Sequence, residues 1–364
     1  MKSLARRRLS SRRLFEGRFS RARSVPAATL GGAQLVHIGG GETVTFTPVS
    51  DDHVDGPPAS ARLALPPARV HVLEDVLICP GSRVVCTPHG EIVAESFASE
   101  LRPTPSVPPE IGTVPVYFPG AVAYFRSAAR GHYHTLVDDL PRAALLNHAA
   151  MRRLGTITVV HDGPLSAVEE YVLPRLLGRN LRLVEVDPHT TVTGDVVLLP
   201  GHLTRAGAGA VPSWYVRALD RCATHAPPVD APKRMFIDRP TGTRQIENWD
   251  AVSDVLDRHG VEVVDILSLT MAETVARFRD ADLVVGVHGG GLANALFSPS
   301  ARVVELLPSD APLRRYSYLS ASRGLEYRAV PGASTGNGSR DRLALKVEVD
   351  VVALDRALAA AGLR

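Results

Sequence analysis

From residue 114 onward, short apolar runs alternate with longer segments in which apolar positions recur every three or four residues. The first three elements are a strand at Val114–Phe118, a helix from about His132 to Arg153 and a strand at Thr156–His161. This alternation predicts a parallel sheet with crossover helices. Residues 25 to about 113 instead carry short apolar runs between proline and glycine clusters, which predicts a β-rich segment.

A second α/β series follows residues 226–233, whose sequence APPVDAPK contains three prolines and predicts a linker. Thr270 and Glu273 have the Thr-x-x-Glu spacing of a capping box and mark the start of a helix. Asp350 is placed to cap a terminal helix. The strands predicted in this series are Arg234–Asp238, Val261–Ile266, Asp282–Val287 and Arg302–Leu307.

The pattern therefore predicts an α/β protein of two Rossmann-like lobes with a β-rich N-terminal segment. A chain of 364 residues is long enough for two domains, and a cleft between them is then available as a site. We expect the lobes to be followed by a terminal helix that packs back on the first lobe. The predicted parts are a basic disordered arm at 1–24, an N-terminal lobe at 25–225, a linker at 226–233, a C-terminal lobe at 234–349 and the terminal helix at 350–364.

The composition, with 45% hydrophobic and 22% charged residues, is typical of a soluble globular protein and excludes fibrous and disordered classes. The formal net charge is +3, but much of the arginine lies in the first 23 residues, so the body is close to neutral. We therefore expect no nucleic-acid partner. No apolar run is long enough for a membrane span or a signal core, which predicts a cytoplasmic protein.

The three cysteines, Cys79, Cys86 and Cys222, have no metal-ligand spacing. An odd, low number of cysteines fits a reducing compartment. We interpret all three as buried thiols. The basic arm is either a solvated tail or a contact to an anionic membrane face or polyanion.

A glycine-rich turn, Gly286–Asn294, lies where a predicted buried strand gives way to a helix. Glycines let the backbone approach an anion closely, and the first amide groups of a helix favour negative charge. The turn therefore suits a diphosphate, although a tight turn that binds nothing has the same sequence. An NAD-type fingerprint is not matched, because Asn294 occupies the position of its last glycine. The candidate residues are His288, Gly289, Gly290, Gly291 and Asn294, with Glu305 on the next strand as an acceptor for ribose hydroxyls.

Three charged or titratable residues recur at four-residue spacing on the first-lobe helix, namely His134, Asp138 and Arg142. Residues at this spacing share one helix face. Asp138 either orients His134 as a general base or accepts a proton itself, and an exposed ion-pair ladder is the alternative. Pro141 cannot donate a backbone hydrogen bond, so we expect the helix to bend there.

Two arginines lie just after the first strand of the second series, Arg239 and Arg244. Their guanidinium groups can form forked hydrogen bonds to phosphate and, with the amides of the glycine turn, replace a divalent metal. Surface salt bridges are the alternative for both. Asn248 is placed to cap the following helix. We expect no metal and no cofactor.

Two separated strings resemble the family 61 glycosyltransferases. One comprises Arg239, Arg244 and Asn248, then GVHGGGLANALF at 286–297 and VVEL at 303–306. The other, HTLVDDLPR at 134–142, is similar to the H-x-L-x-D-x-L-P-R signature of that family. The resemblance covers roughly residues 70 to 310. There are two departures: Gly290 stands where alanine is more common, and Gly131-His132-Tyr133 replaces an asparagine-led aromatic pair, a change that bears on the acceptor.

The resemblance implies a two-lobed transferase of the B-type architecture that uses a nucleotide sugar, with a UDP-sugar favoured, and inverts the anomeric centre. The acceptor is a saccharide hydroxyl, and the bacterial relatives imply capsule or surface-polysaccharide assembly. In this hypothesis His134, supported by Asp138, is the base, while Arg142 and Asn248 have structural or acceptor-side roles. Peripheral association with the inner membrane face or with polysaccharide-assembly proteins is consistent with it. The alternatives are a noncatalytic saccharide- or nucleotide-binding scaffold and a transferase of a non-sugar group.

Overall fold

The computed structural model describes residues 24–46, 61–97, 114–204, 209–238, 245–308, 315–335 and 346–361. The chain divides into two compact units, each built from several stretches of sequence. Unit 1 comprises Met1–Gly41, Pro66–Arg130 and His134–Ala206. Unit 2 comprises Glu42–Leu65, Gly131–Tyr133 and Gly207–Arg364.

The strands run through the whole described chain. They are β1 (Ser24–Val25), β2 (Gln34–Gly39), β3 (Thr43–Phe46), β4 (Ala61–Ala64), β5 (Ala68–Leu73), β6 (Leu77–Cys79), β7 (Val84–Cys86), β8 (Ile92–Val93), β9 (Val116–Ala123), β10 (Ile157–Asp162), β11 (Leu181–Val186), β12 (Val192–Pro200), β13 (Arg234–Ile237), β14 (Glu262–Val264), β15 (Leu283–Val287), β16 (Arg302–Pro308), β17 (Tyr327–Thr335) and β18 (Lys346–Val349).

The helices lie between and after these strands. They are α1 (His132–His134), α2 (Leu140–Leu145), α3 (Ala149–Arg152), α4 (Ala167–Leu176), α5 (Ser213–Ala223), α6 (Trp249–Arg258), α7 (Met271–Asp280), α8 (Arg315–Arg323) and α9 (Val351–Ala361). A π-helical turn, Thr135–Asp139, follows α1, and short 3-10 helices occupy Ala27–Thr29, Ala94–Ser96, Ile266–Ser268 and Gly290–Phe297.

The described part of unit 1 contains a ten-stranded mixed sheet. The alternating pattern after residue 114 predicted parallel strands, and the parallel part of the sheet has the order β12-β9-β10-β11. The β-rich segment extends this sheet, because β5 and β6 both pair antiparallel with β12. Val122, Val160, Val197 and Ile78 belong to its buried apolar core. The predicted β-rich segment therefore forms one sheet with the parallel strands that follow it.

Two of the three predicted buried thiols meet in unit 1. The Sγ atoms of Cys79 and Cys86 are 3.0 Å apart on the neighbouring strands β6 and β7, and Cys222 is buried in unit 2. The contact and the burial both raise the pKa of the Cys86 thiol well above its usual value. All three cysteines are buried thiols, as predicted.

The main sheet of unit 2 has the order β14-β13-β15-β16-β17-β18, in which only the β17–β18 pair is antiparallel. Counted from β13, its parallel strands have the order 2-1-3-4-5 of a doubly wound sheet. Such sheets bind ligands at the point where the strand order reverses, here between the carboxyl ends of β13 and β15. The glycine turn follows β15 and therefore lies at this point. The predicted α/β class is confirmed in both units.

The predicted boundaries of the lobes need correction at the linker and beyond it. Residues 207–225, assigned to the first lobe, belong to unit 2, and the predicted linker at 226–233 lies inside that unit. The reason is that side chains of unit 2 hold α5 and the chain that follows it. Arg323 pairs with Asp220, and Arg279 donates to the carbonyls of Ala223 and Ala226 at 3.2 and 2.8 Å.

A hairpin of β3 and β4 from the β-rich segment also belongs to unit 2, where Val44 and Leu65 pack beside α8. The terminal helix was expected to pack on the first lobe, and this expectation is wrong. Leu354, Leu358 and Ala361 of α9 are buried in the apolar core of unit 2. The predicted arm lies outside the described residues except for its last residue, which begins β1.

Local signals in the sequence placed several elements well. Thr270 accepts from the amide of Glu273 at 3.3 Å while the carboxylate of Glu273 accepts from the Thr270 amide at 2.8 Å, which confirms the capping box of α7. Asp350 caps α9 by accepting from the amides of Val352 and Ala353. Within the described part of the chain, no helix has both the length and the apolar character needed to cross a bilayer.

Candidate functional site

The helical segment that carries the first motif is interrupted by the π-helical turn Thr135–Asp139. Leu140 donates its amide proton to the carbonyl of Thr135, five residues back, where an α-helix would use Leu136. The next residue is Pro141, which has no amide proton to donate. A π turn before this proline therefore takes the place of the simple bend expected from the sequence, and such turns occur often at functional sites.

His134 directly precedes this turn of unit 1 and contacts Asp138 inside it, as their spacing predicted. Nδ1 of His134 lies 2.7 Å from Oδ2 of Asp138, and the hydroxyl of Thr204 donates to Oδ1 at 2.8 Å. The side chains of His134 and Asp138 are 26% and 15% exposed. Because Asp138 accepts the Nδ1 proton, Nε2 is the basic nitrogen of this histidine. Thr204 belongs to no motif, so sequence reasoning did not identify it as a partner of this pair.

Arg142 does not continue an exposed ladder of ion pairs, because its side chain is buried. Its Nε donates to the carbonyl of Pro200 at 3.0 Å, and its Nη1 has no hydrogen-bond partner within the described part of the chain. Burial lowers the pKa of this guanidinium, and the neighbouring Asp139 opposes the shift. Arg142 therefore fixes the helix to the end of β12, which agrees with the predicted structural role.

Asp139, which sequence reasoning missed, is also buried beside this arginine. Its carboxylate accepts from the amide of Ser127 at 2.7 Å. Burial raises the pKa of Asp139 to about 7, against the opposing effect of Arg142. The two adjacent aspartates therefore differ in exposure and in role. Asp138 is part-exposed and contacts His134, whereas Asp139 is buried and anchors the chain before the helix.

The chain before the helix is held by a buried network in unit 1. Arg126 forms a forked pair with Glu169, both contacts at 2.8 Å, and also contacts Asp162 at the end of β10. Tyr124 and Arg83 donate to the same aspartate, and the arginines lower its pKa against the effect of burial. The network ties β10 and α4 to the segment that leads into the first motif.

The glycine turn of unit 2 begins a 3-10 helix, Gly290–Phe297, where a short helix was predicted after Gly291. A Cβ atom on Gly291 would lie 3.2 Å from Cγ2 of Ile237 on β13 and 2.8 Å from Cδ1 of Ile266. A Cβ on Gly290 would meet only ordinary contacts, the nearest at 3.7 Å. Packing therefore explains the glycine at 291, and a ligand is not needed to account for it. The departure from the family pattern at 290 is sterically harmless.

His288 and Glu305 form a buried pair at this turn, with Nδ1 of the histidine bonded to Oε1 of the carboxylate. The other carboxylate oxygen accepts from the hydroxyl of Tyr327 at 2.5 Å. Glu305 is fully buried and its two oxygens are both engaged, so the predicted contact with a ribose is wrong. Instead, Glu305 orients His288, and its charge, together with burial, raises the pKa of Tyr327 well above its usual value.

Asn294 and Gly289 are held by two side chains that sequence reasoning did not identify. Nε2 of His132 lies 2.8 Å from Oδ1 of Asn294, whose Nδ2 donates to the carbonyl of Gly291. The hydroxyl of Tyr316 donates to the carbonyl of Gly289 at 2.5 Å. Residues 131–133 therefore belong to the setting of the glycine turn in unit 2. Their departure from the family pattern, assigned above to the acceptor, bears on this turn.

Asn248 precedes α6, as predicted, but its side chain does not cap the helix. It exchanges two hydrogen bonds with the backbone of Val349 on β18, at 2.8 and 2.9 Å, and so has a structural role. The two predicted phosphate-binding arginines, Arg239 and Arg244, lie outside the described residues, just after β13.

Comparison with known proteins identifies the region that holds these motifs. Residues 132–304 match the model of the family described as Glycosyltransferase 61. A curated relative, the EGF domain-specific O-linked N-acetylglucosamine transferase of Drosophila melanogaster, is 32% identical over 108 residues, or 29% of this chain. The match spans 21% of the length of that relative.

A solved structure to which the chain is similar is that of the bacterial iron-containing dodecameric glycosyltransferase TibC from enterotoxigenic E. coli. The two share 12% identity with a TM-score of 0.30, over 73% of this chain and 83% of that one. The family match contains both motifs described above, the segment His134–Arg142 and the turn Gly286–Asn294. The match of residues 132–304 to the glycosyltransferase 61 model confirms the resemblance predicted from the sequence.

Proposed function

We propose that this protein is an inverting glycosyltransferase that moves a sugar from a nucleotide-sugar donor, with UDP as the favoured nucleotide, to a saccharide hydroxyl. The observation that carries the proposal is the 2.7 Å contact between His134 and Asp138 inside the family region. A histidine oriented by a carboxylate is a common general base. The supporting observation is the glycine turn at the strand-order reversal of unit 2, a place where doubly wound sheets bind nucleotides.

The proposed chemistry needs one base and one direct displacement. The acceptor hydroxyl donates its proton to Nε2 of His134, while its oxygen attacks the anomeric carbon. The bond from that carbon to the diphosphate oxygen breaks, and the nucleoside diphosphate leaves with the electron pair. Asp138 stabilises the imidazolium that forms, because its carboxylate accepts the Nδ1 proton, and Thr204 holds the carboxylate in place.

In this proposal the donor diphosphate binds to unit 2. The first amide groups of the helix beginning at Gly290 have no intrahelical acceptors and suit phosphate oxygens. Arg239 and Arg244 are proposed to neutralise the diphosphate in place of a metal. His288 and Asn294 line the turn, and their side chains are fixed by hydrogen bonds within unit 2.

The biological setting is inferred from the family alone. We propose a role in capsule or surface-polysaccharide assembly, in the cytoplasm and with peripheral association at the inner membrane face. The B-type architecture is part of the same proposal. A noncatalytic scaffold would not need the His134, Asp138 and Thr204 arrangement, whose geometry favours catalysis over binding alone.

The test is an assay for release of nucleoside diphosphate from a panel of UDP- and GDP-sugars by the purified protein, with saccharide acceptors. We expect release with at least one donor and its loss in His134→Ala, by about 10²- to 10⁴-fold. The matched control is His148→Ala, because His148 is an exposed histidine of unit 1 outside both motifs. Full activity in His134→Ala would remove the proposed base, and consumption of phosphoenolpyruvate in place of any sugar nucleotide would establish non-sugar transfer.

A further inference from the structure

Beside the glycine turn, unit 2 contains a cluster of one guanidinium and two aromatic rings, which we call the Arg315 cluster. Its members are Arg315, Tyr133 and Tyr316. The guanidinium carbon of Arg315 lies 5.4 Å from the centroid of the Tyr133 ring, within the range of a cation–π contact. The ring of Tyr133 meets that of Tyr316 edge-on, with centroids 5.9 Å apart. A cation and two rings are therefore held as one group.

The Arg315 cluster is built directly on the turn. The backbone nitrogen of Tyr133 lies 3.7 Å from the position that a Cβ on Gly290 would take. The hydroxyl of Tyr316 donates to the carbonyl of Gly289, and its ring centroid lies 5.2 Å from that of His288. Tyr133 thus contacts the guanidinium through its ring and lies beside the turn through its backbone.

The backbone of Gly209 also restricts the position of Arg315. Gly209, at a φ of +78°, packs so closely that a Cβ there would lie 2.0 Å from the carbonyl oxygen of Arg315. Only glycine fits this contact. The first residue of α8 is therefore held in place by backbone packing as well as by its side-chain stacking.

The charge of Arg315 is not neutralised within the part of the chain that the structure describes. No described carboxylate lies within 4.0 Å of its guanidinium, and its Nε is buried without a hydrogen-bond partner there. Arg323, at the other end of the same helix, differs: its guanidinium pairs with Asp220 and donates to the carbonyl of Ser298 at 2.6 Å. Arg315 therefore carries a charge without a described counter-ion beside a turn that suits an anion.

We propose that Arg315 binds the diphosphate of the donor and that Tyr133 is the positioning residue that holds it. A guanidinium stacked on a ring keeps the N–H groups along its edge available for forked hydrogen bonds to phosphate oxygens. During transfer, the positive charge of Arg315 stabilises the negative charge that develops on the leaving diphosphate. This inference rests on the proposed donor site and adds a cation that no sequence motif marked.

The experiment is titration calorimetry of the full chain with UDP and, in parallel, GDP. We expect Arg315→Met to weaken binding about ten- to hundredfold and Arg315→Lys to weaken it less, because a lysine keeps the charge without the fork. The control is Arg302→Met, which removes a part-exposed arginine of the same unit that pairs with Glu326. Binding by the control should equal that of the unaltered protein.

Two further readouts separate a phosphate contact from a structural role. The affinity for UDP should fall with added potassium chloride less steeply in Arg315→Met than in the unaltered protein, because one charge contact is gone. Tyr133→Leu should weaken UDP binding, while Tyr133→Phe keeps the ring and should restore it. A change in folding alone would not alter the salt dependence.

Each outcome decides between the two proposals. If the unaltered protein binds UDP or GDP and Arg315→Met binds as tightly, with the same salt dependence, the role of Arg315 is wrong and the donor site stands. If the unaltered protein binds neither nucleotide, the donor site is wrong and the role of Arg315 with it. Should Arg315→Met fail to fold in a thermal melt, Arg315→Gln also removes the charge and provides the same comparison.

Discussion

Each unit contains a histidine bonded through Nδ1 to a carboxylate, yet the two pairs lie in different surroundings. His134 and Asp138 of unit 1 are 26% and 15% exposed in their side chains. His288 and Glu305 of unit 2 are 5% and 0% exposed. A base must reach the proton that it removes, so the part-exposed pair suits catalysis. The buried pair instead suits a structural role, because its carboxylate holds the glycine turn in place by internal hydrogen bonds.

The hydroxyl groups that donate to the two carboxylates differ in their surroundings in the same way. Thr204 holds the carboxylate of unit 1 and comes from the chain just after β12, next to residues outside the described part. Tyr327 holds the carboxylate of unit 2 from inside β17 and is itself buried. The same chemical motif therefore has two expected signatures: a loss of transfer in unit 1 and a loss of stability in unit 2.

The largest effect is expected from Asp138→Asn. An amide can donate to Nδ1 of His134 and favour the wrong tautomer, so transfer should fall by about 10²- to 10⁴-fold. The free energy of unfolding should change by less than about 1 kcal/mol, because both side chains are part-exposed. Sugar-nucleotide turnover and urea unfolding measure the two quantities. Asp187→Asn, an exposed aspartate of unit 1, serves as control. A large loss of stability with transfer intact would reverse the assignment.

The second-largest effect is expected from Glu305→Gln. The amide of glutamine offers one acceptor where the carboxylate accepts from both His288 and Tyr327, so a buried donor loses its partner. We expect the free energy of unfolding to fall by about 1–3 kcal/mol in urea denaturation. Glu326→Gln, a part-exposed glutamate of unit 2 bonded to Arg328, is the matched control and should change little. An unchanged unfolding midpoint in Glu305→Gln would remove the proposed role of the pair as an anchor.

The contrast also shows what the sequence could predict. The contact between His134 and Asp138 follows from their spacing on one helix face, because neighbours four residues apart meet in a regular helix. The π turn beneath them was missed, since it depends on how the chain adjusts to Pro141. Thr204 was missed for another reason: it lies 66 residues from Asp138 and has no motif. Local periodicity predicts local contacts only.

Glu305 illustrates the limit at the other pair. Its place on a strand after the glycine turn was predicted well, within a parallel sheet whose strands were located from apolar runs. Its role was not, because a sequence does not show whether a strand carboxylate faces a ligand or the core. Arg315 was overlooked because its relation to the turn is made by Tyr133, which lies 182 residues earlier in the chain. The sequence thus located the elements of unit 2 but not the partners within it.

The smallest effect separates packing from binding inside the glycine turn. Gly291→Ala places a methyl group 3.2 Å from the branched side chain of Ile237 and 2.8 Å from the end of Ile266. Ile237 is stiff at its branched carbon, while the end of Ile266 can move, so we expect a loss of about 1 kcal/mol in the free energy of unfolding. Gly290→Ala meets nothing closer than 3.7 Å and is the control, with an expected change within about 0.5 kcal/mol. Urea denaturation of both variants measures the difference. Equal stability of the two would mean that β13 and the turn do not pack as described, and the glycine at 291 would then need a ligand to explain it.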